Sequence, residues 1–156
     1  MSNKITEQMN DRLTRRMSRN IYIGGSLFSI LLLVGLTLDT VRQVPKRENR
    51  VNLTEQVAMG KHVWEKNNCV GCHTILGEGA YYAPELGNVF QRRGASDKAA
   101  FKSYLSAWMA AQPLQEPGRR KMPQFNLTAE EVDNMAEFLI WTSKIDTNNW
   151  PPNIEG

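Results

Sequence analysis

Two cysteines occur in the 156 residues, three positions apart, with a histidine directly behind the second: Cys69-Val70-Gly71-Cys72-His73. No other feature limits the chain so strongly. C-x-x-C-H is the attachment pattern of a c-type haem. Thiols at this spacing lie on one side of a single helical turn, where both reach the vinyl groups of one porphyrin and close thioether bonds. The next residue, His73, then faces the iron. Two other chemistries share part of the pattern. A bare C-x-x-C also serves as a dithiol redox pair or as half of a zinc site. The dithiol reading needs a βαβ context that the sequence does not show. A Cys2His2 zinc site would use both cysteines and both histidines, His62 and His73. With His73 adjacent to Cys72, tetrahedral closure is awkward.

Ile21 to Leu38 form a second constraint, 18 residues without a charge. As a helix this run spans about 27 Å, close to the hydrocarbon thickness of a bilayer. The rival readings are a cleaved signal peptide, whose apolar region is about 7–15 residues followed by a small-residue cleavage site, and a buried core helix. Leu38-Asp39-Thr40-Val41-Arg42 offers no such cleavage site, and the basic cluster before the run speaks against a core helix. The sequence therefore predicts a cytoplasmic N-terminus over 1–20, an uncleaved transmembrane anchor over 21–39 and a polar linker over 40–52. In that linker Pro45 closes any continuation of the helix. Gly24, Gly25 and Gly35 leave a smooth strip for a neighbouring helix, or simply reflect the higher glycine content of membrane helices.

Charge sets direction and excludes one class of partner. Residues 1–20 hold five basic and two acidic side chains, and the other 136 residues hold 14 of each. The excess of positive charge is thus confined to the membrane-flanking start, where it suits lipid head groups, and nucleic-acid binding has no support. Positive charge before the span and the attachment of c-type haem on the outer side of the bacterial membrane both place residues 53–156 in the periplasm, behind a single-pass anchor in the inner membrane.

Within 53–156 the pattern is helical. Thr54 opens a helix on which Leu53, Val57, Gly60 and Trp64 recur at helical spacing. Gly60 is costly inside a helix and marks a close approach, expected against Phe138 or Trp141. After His73, Gly77, Gly79, Pro84 and Gly87 exclude regular structure from most of a long stretch able to wrap a haem edge. The Pro84 carbonyl is the expected acceptor for His73 Nδ1–H, an interaction that fixes ring and tautomer. Ser96 caps a further helix through Ala111 with apolar residues Phe101, Tyr104, Leu105 and Trp108. Thr128-x-x-Glu131 is a capping box opening the last helix, with Val132, Met135, Ala136, Phe138, Leu139 and Trp141 on its apolar face.

The second axial ligand comes from His62 or one of seven methionines. Met1, Met9 and Met17 precede the span, Met59 and His62 lie too near the motif to cross to its far face, and Met109 and Met135 read as core. Met122 sits in a loop before Pro123 and is the expected distal ligand. His/Met ligation fills both axial positions and suits electron transfer; without Met122 the iron would be open to a gas. The fold class that follows is all-α: one N-terminal transmembrane helix plus a class I-type monohaem cytochrome c domain.

The chain resembles the small, cytochrome c subunit of bacterial cytochrome c-dependent nitric oxide reductase. The resemblance is carried by the anchor, by CVGCHTILGEGAYYAPELGNV, by KMPQFNLT and by the segment ending FLIWTSKIDTNNWPP. It implies one covalent haem c held by Cys69 and Cys72 and ligated by His73 and Met122. Electrons would arrive from a soluble cytochrome c or a cupredoxin. They would pass to haem b of a large catalytic subunit, where a haem and a non-haem iron reduce two NO to N2O and water. By position, Tyr81 matches a small-subunit tyrosine placed at an interface calcium in that family. No catalytic residue is expected on this chain. A membrane-tethered electron shuttle, a haem c subunit of a terminal oxidase and a gas-binding haem module remain the other readings of the same motifs.

Overall fold

The computed structural model describes residues 14–94, 97–113 and 121–148. Ser96, expected to cap a helix, lies outside them. The chain divides into two compact units, Met1–Val44 and Pro45–Gly156.

Helix α1, Arg15–Arg47, is 33 residues long and buries none of its side chains. The uncharged run lies wholly inside it, and the helix is long and apolar enough to cross a membrane. Among the described residues, nothing stands within 4 Å of where a Cβ would be placed on Gly24, Gly25 or Gly35. Pro45 does not end the helix as the sequence predicts; it lies inside the last turn. So near the C-terminus a proline removes only one backbone bond, and the end of the helix is held from outside. The Arg47 carbonyl accepts from Asp146 N at 3.0 Å. Asn49 then turns the chain with φ 52°, and its carbonyl accepts from Trp141 Nε1 at 3.1 Å.

The second unit contributes four further α-helices among the described residues: α2 Glu55–Lys66, α3 Val89–Gly94, α4 Lys98–Ala110 and α5 Ala129–Thr142. Thr54 caps α2 by accepting from Val57 N. Thr128 and Glu131 cap α5 reciprocally, satisfying two otherwise unpaired N–H groups. Asp97, not Ser96, caps α4: its carboxylate accepts from Ala99 N at 2.8 Å and Ala100 N at 3.3 Å. Both residue types cap well; the register that turns Phe101, Leu105 and Met109 inward settles the choice. Trp108, expected on the buried face, is 48% exposed. A short antiparallel hairpin pairs β1 Thr74–Ile75 with β2 Glu78–Gly79.

Helices α2 and α5 form the main contact. A Cβ on Gly60 would stand 2.0 Å from the Asn134 carbonyl oxygen and 2.7 Å from Phe138 Cβ, so the expected crossing is made at Phe138. Around it the core gathers Val57, Val63, Trp64, Val132, Met135, Ala136 and Leu139, with Phe90 and Phe101 beyond. Helix α4 is tied to α5 by an ion cluster. Lys102 Nζ lies 2.8 Å from Asp133 and 2.9 Å from Glu137, and Lys98 Nζ lies 3.1 Å from Glu137. Burial works to raise the Glu137 pKa, but hydrogen bonds from Lys102 and Lys98 outweigh it and hold the carboxyl below its ordinary 4.5. Burial likewise works to lower Lys102, and the bonds to Asp133 and Glu137 carry it above 10.5.

Gly60→Ala is expected to cost about 1–3 kcal/mol by overpacking, read by urea unfolding of the full chain in detergent; an unchanged midpoint would show that the crossing yields freely. A depressed carboxyl contributes stability above its unfolded pKa, lost as pH falls through the folded value; a raised lysine contributes below its unfolded pKa, lost as pH rises through the folded one. Glu137→Gln therefore loses about 1 kcal/mol near neutrality. The deficit shrinks toward acid pH as Glu137 itself protonates. A deficit that is the same at every pH would remove the electrostatic account.

Candidate functional site

The site begins where α2 stops. Asn67 closes the helix, its side chain donating to the Val63 carbonyl at 2.8 Å. Asn68 turns the backbone with φ 51°, a conformation that asparagine tolerates well. A single 3₁₀ turn, Cys69–Gly71, follows. Within it His73 N donates to the Cys69 carbonyl at 2.9 Å. Both thiols and the imidazole thus leave one turn. Cys69 is half-buried, Cys72 is exposed, and neither forms a disulfide. Burial, with a smaller repulsion from Cys72, pushes the Cys69 thiol up to about 11 against a lowering backbone hydrogen bond. A redox dithiol needs the opposite, a depressed pKa that supplies thiolate at neutral pH. The zinc arrangement is not formed either. His62 is exposed on α2, and among the described residues no three His, Cys, Asp or Glu side chains gather as a metal-holding group.

The stretch after His73 folds back on the turn. Ala80 N donates to the Val70 carbonyl at 3.0 Å, Ala83 N to Cys72 at 2.8 Å and Leu86 N to Thr74 at 2.8 Å. Gly79 has φ +124°, and a Cβ there would stand 2.3 Å from the His73 carbonyl oxygen; only glycine fits. The return brings the Pro84 carbonyl to 2.7 Å from His73 Nδ1. A carbonyl only accepts, so Nδ1 carries the proton and Nε2 keeps its lone pair for a metal. Tyr81 is 78% exposed, and its hydroxyl donates to the Gly77 carbonyl at 3.2 Å.

Two residues that the sequence does not single out hold these segments in place. Glu85 is buried. Its Oε1 accepts from Leu76 N at 2.7 Å and Gly87 N at 2.9 Å, its Oε2 from Asn88 N at 3.4 Å, and its backbone carbonyl from the Arg92 guanidinium. Gln124 fastens the Met122 segment to the end of α4. Its side chain donates to the Met109 carbonyl at 3.0 Å and its N–H to Pro113 at 3.2 Å. The available signal was polarity alone: an acidic residue and an amide set in otherwise apolar, Pro- and Gly-rich loops.

These elements enclose a cavity of about 430 Å3, within the range of small-molecule sites. Cys69, His73, Pro84 and Met122 all line it, whereas His62 does not. Trp64, Leu105, Met109, Met135 and Leu139 supply apolar walls, so the two methionines read as core also face the cavity. Among the described residues, Arg92 and Arg93 are the charged ones of its lining. Cys72 leaves the same turn but stands exposed outside the lining; a soft sulfur donor, an imidazole, the Cys69 thiol and apolar walls suit a haem.

The Cytochrome c family model matches residues 57–143, which contain the whole cavity. The chain is 62% identical over 148 residues to the nitric oxide reductase C-subunit of Stutzerimonas stutzeri. It is 47% identical over 151 residues to the protein of that name in Paracoccus denitrificans, and 48% identical over 150 residues to that in Halomonas halodenitrificans. Each comparison covers 95% of this chain and the full length of the relative. The chain belongs to the family of nitric oxide reductase C-subunits. It carries a cytochrome c domain, and that domain implies haem c as its cofactor. Within this domain the Glu85 carboxylate holds backbone N–H groups of the loop. Glu85→Ala strands three buried or half-buried N–H groups and costs on the order of 3 kcal/mol, read as a lower urea midpoint with earlier proteolysis between residues 76 and 88. A variant as stable and as protease-resistant as the native chain would mean that the loop closes without this carboxylate.

Proposed function

We propose that this chain is the electron-entry subunit of a membrane nitric oxide reductase. The observation that carries the reading is the convergence of Cys69, His73 and Met122 on one apolar cavity, in a chain whose full-length relatives bear the reductase's name. Cys69 and Cys72 are read as the residues that would bind one covalent haem c through thioethers, and His73 and Met122 as those that would ligate its iron. Haem c held there would supply a one-electron iron couple whose potential is raised by His/Met ligation.

The chain's own residues then do three things. Pro84 orients His73 and fixes its tautomer. Gln124 and Pro113 steady the Met122 segment, and Trp64, Leu105 and Leu139 exclude water, lowering the reorganisation that accompanies a change of charge. None of these steps makes or breaks a substrate bond, so no catalytic residue is assigned to this chain. Electrons enter from a soluble cytochrome c or cupredoxin in the periplasm and leave to haem b of the large catalytic subunit, where two NO, two electrons and two protons give N2O and water. Helix α1 is read as the single-pass inner-membrane anchor with the cytochrome domain outside. Tyr81, with its exposed ring and a free oxygen lone pair, is read as this chain's contribution to an interface calcium. The remaining ligands of that ion would come from the large subunit.

The test is affinity purification of the tagged chain from membranes of a denitrifying host. Haem types, non-haem iron and calcium are then measured, together with NO consumption with reduced cytochrome c as donor. A large partner bearing haem b and iron, with NO reduced, is the expected result. A chain that arrives alone with haem c alone would make it a tethered shuttle, and a copper-bearing, oxygen-reducing partner would make it an oxidase subunit. In the purified complex the near-infrared charge-transfer band of a methionine–ferric haem is expected, and is lost in Met122→Ala; its persistence would move the sixth ligand elsewhere.

A further inference from the structure

The segment that carries Met122 has no helix or strand of its own over residues 121–128, and one side chain ties it down. Among the described residues, the first hydrogen bonds after Met122 are those of Gln124. Its Nε2 donates to the Met109 carbonyl at 3.0 Å, with the Ala110 and Gln112 carbonyls at 3.4 Å. These carbonyls belong to the end of α4 and the residues just beyond it, where a helix leaves its last acceptors without partners. At the other end of the same amide, Oε1 accepts from Asn126 N at 3.2 Å, across a turn in which Asn126 has φ 51°. The backbone N–H of Gln124 donates to the Pro113 carbonyl at 3.2 Å. One half-buried amide thus joins helix and loop. Between it and Met122 stands only Pro123. The proline ring locks its own φ and keeps the residue before it extended, so a position fixed at Gln124 is handed on to Met122 with little slack.

We infer that Gln124 is the positioning residue that keeps Met122 on the haem iron, and that by doing so it keeps NO off the electron-entry site. The inference rests on the haem and reductase readings above. An iron with both axial places filled carries electrons, whereas one with an empty sixth place takes up small gases. In a nitric oxide reductase the gas at hand is the substrate, and NO held on the entry haem would stop electron flow. The exchange transfers neither electron nor proton: the bond from the Met122 sulfur to iron opens, and a bond from the incoming ligand to iron forms. An incoming ligand binds only the fraction of molecules in which Met122 has left, so its apparent affinity scales with that fraction. Every hydrogen bond given up when the segment swings away lowers the fraction. Through the stiff Pro123 link, a departing Met122 pulls on Gln124, and the Gln124 bonds count toward the closed state. A neutral amide meets both demands of the place, since it donates to the carbonyls of α4 and accepts from Asn126; a carboxylate would set like partial charges against those carbonyls.

The experiment measures ligand exchange on the full haem-loaded chain in detergent. Imidazole is titrated against the ferric form, and NO is mixed without oxygen with the ferrous form. Native chain is compared with Gln124→Glu, which keeps the shape and the acceptor but loses the donor, and with Gln124→Lys, which restores a donor of similar reach. In Gln124→Glu, imidazole affinity and the rate of NO binding are expected to rise about tenfold, with the methionine–ferric band still present before ligand is added. Gln124→Lys is expected to return most of the native behaviour. Glu137→Gln is the control: it weakens the fold from outside the cavity lining and is expected to leave exchange unchanged. Native exchange in Gln124→Glu would overturn the assignment. An equal rise in Glu137→Gln would overturn it too, since lability would then follow overall stability, and so would a Gln124→Lys variant as labile as Gln124→Glu. Where Gln124→Glu takes up no haem, Pro123→Ala decides, because it leaves each Gln124 bond in place and loosens only the link to Met122; faster exchange supports the assignment and native exchange overturns it. A native chain without the methionine–ferric band would overturn the ligand reading itself, and the assignment with it, before any variant is made. A native band with unchanged variants would leave that reading standing and remove only the role of Gln124.

Discussion

Gly60 lets the backbone of α2 rest directly on Asn134 and Phe138 of α5, and the placement of the cavity follows from that crossing. With a Cβ at this position 2.0 Å from a carbonyl oxygen, the helices would have to separate. Trp64 would then leave Phe138, whose ring centroid lies 6.3 Å away. Trp64 stands one turn beyond Gly60 and lines the cavity. The C-x-x-C-H turn starts five residues later, at the end of the same rigid helix. A shift at the crossing is thus carried to His73 as a displacement of the whole turn.

The domain is small for a self-sufficient core, and its construction reflects this. Its large apolar residues form a shell around a cavity in addition to packing on one another. Met109 and Met135 are buried and at the same time line that space. Trp108 is 48% exposed and also lines the cavity. Polar anchoring substitutes for missing core in the loops. Glu85 satisfies three backbone donors from one carboxylate, and Gln124 reaches back to α4. Each arrangement fixes a loop segment that borders the cavity.

What the sequence made legible was local or strongly periodic. The thiol spacing, the capping box at Thr128 and Glu131 and the costly glycine of α2 each have a physical reason contained in a few residues. Pro84 offered a carbonyl with no competing N–H. What escaped reading depends on distant partners. Pro45 stays helical because Asp146 and Trp141 hold the segment after it. Helix α3 forms directly after a stretch rich in glycine and proline because Val89 and Phe90 find the core. Asp97 displaces Ser96 as the cap because the packing of Phe101 fixes the register. Glu85 looks like any charged loop residue until its oxygens are seen among backbone N–H groups.

Pro84 and Glu85 show how closely ligand geometry and electrostatics are joined here. The carbonyl of Pro84 sets the imidazole of His73, and the next carbonyl, that of Glu85, takes the guanidinium of Arg92. Consecutive peptide units therefore hold the proposed iron ligand and an arginine that lines the cavity. The Glu85 side chain holds the same backbone from the other side through Leu76, Gly87 and Asn88. A substitution that displaces this short segment moves both together. On the proposed haem reading, the orientation of His73 acts on the strength of the iron ligand, so such a change would alter the potential even with every ligating atom still present.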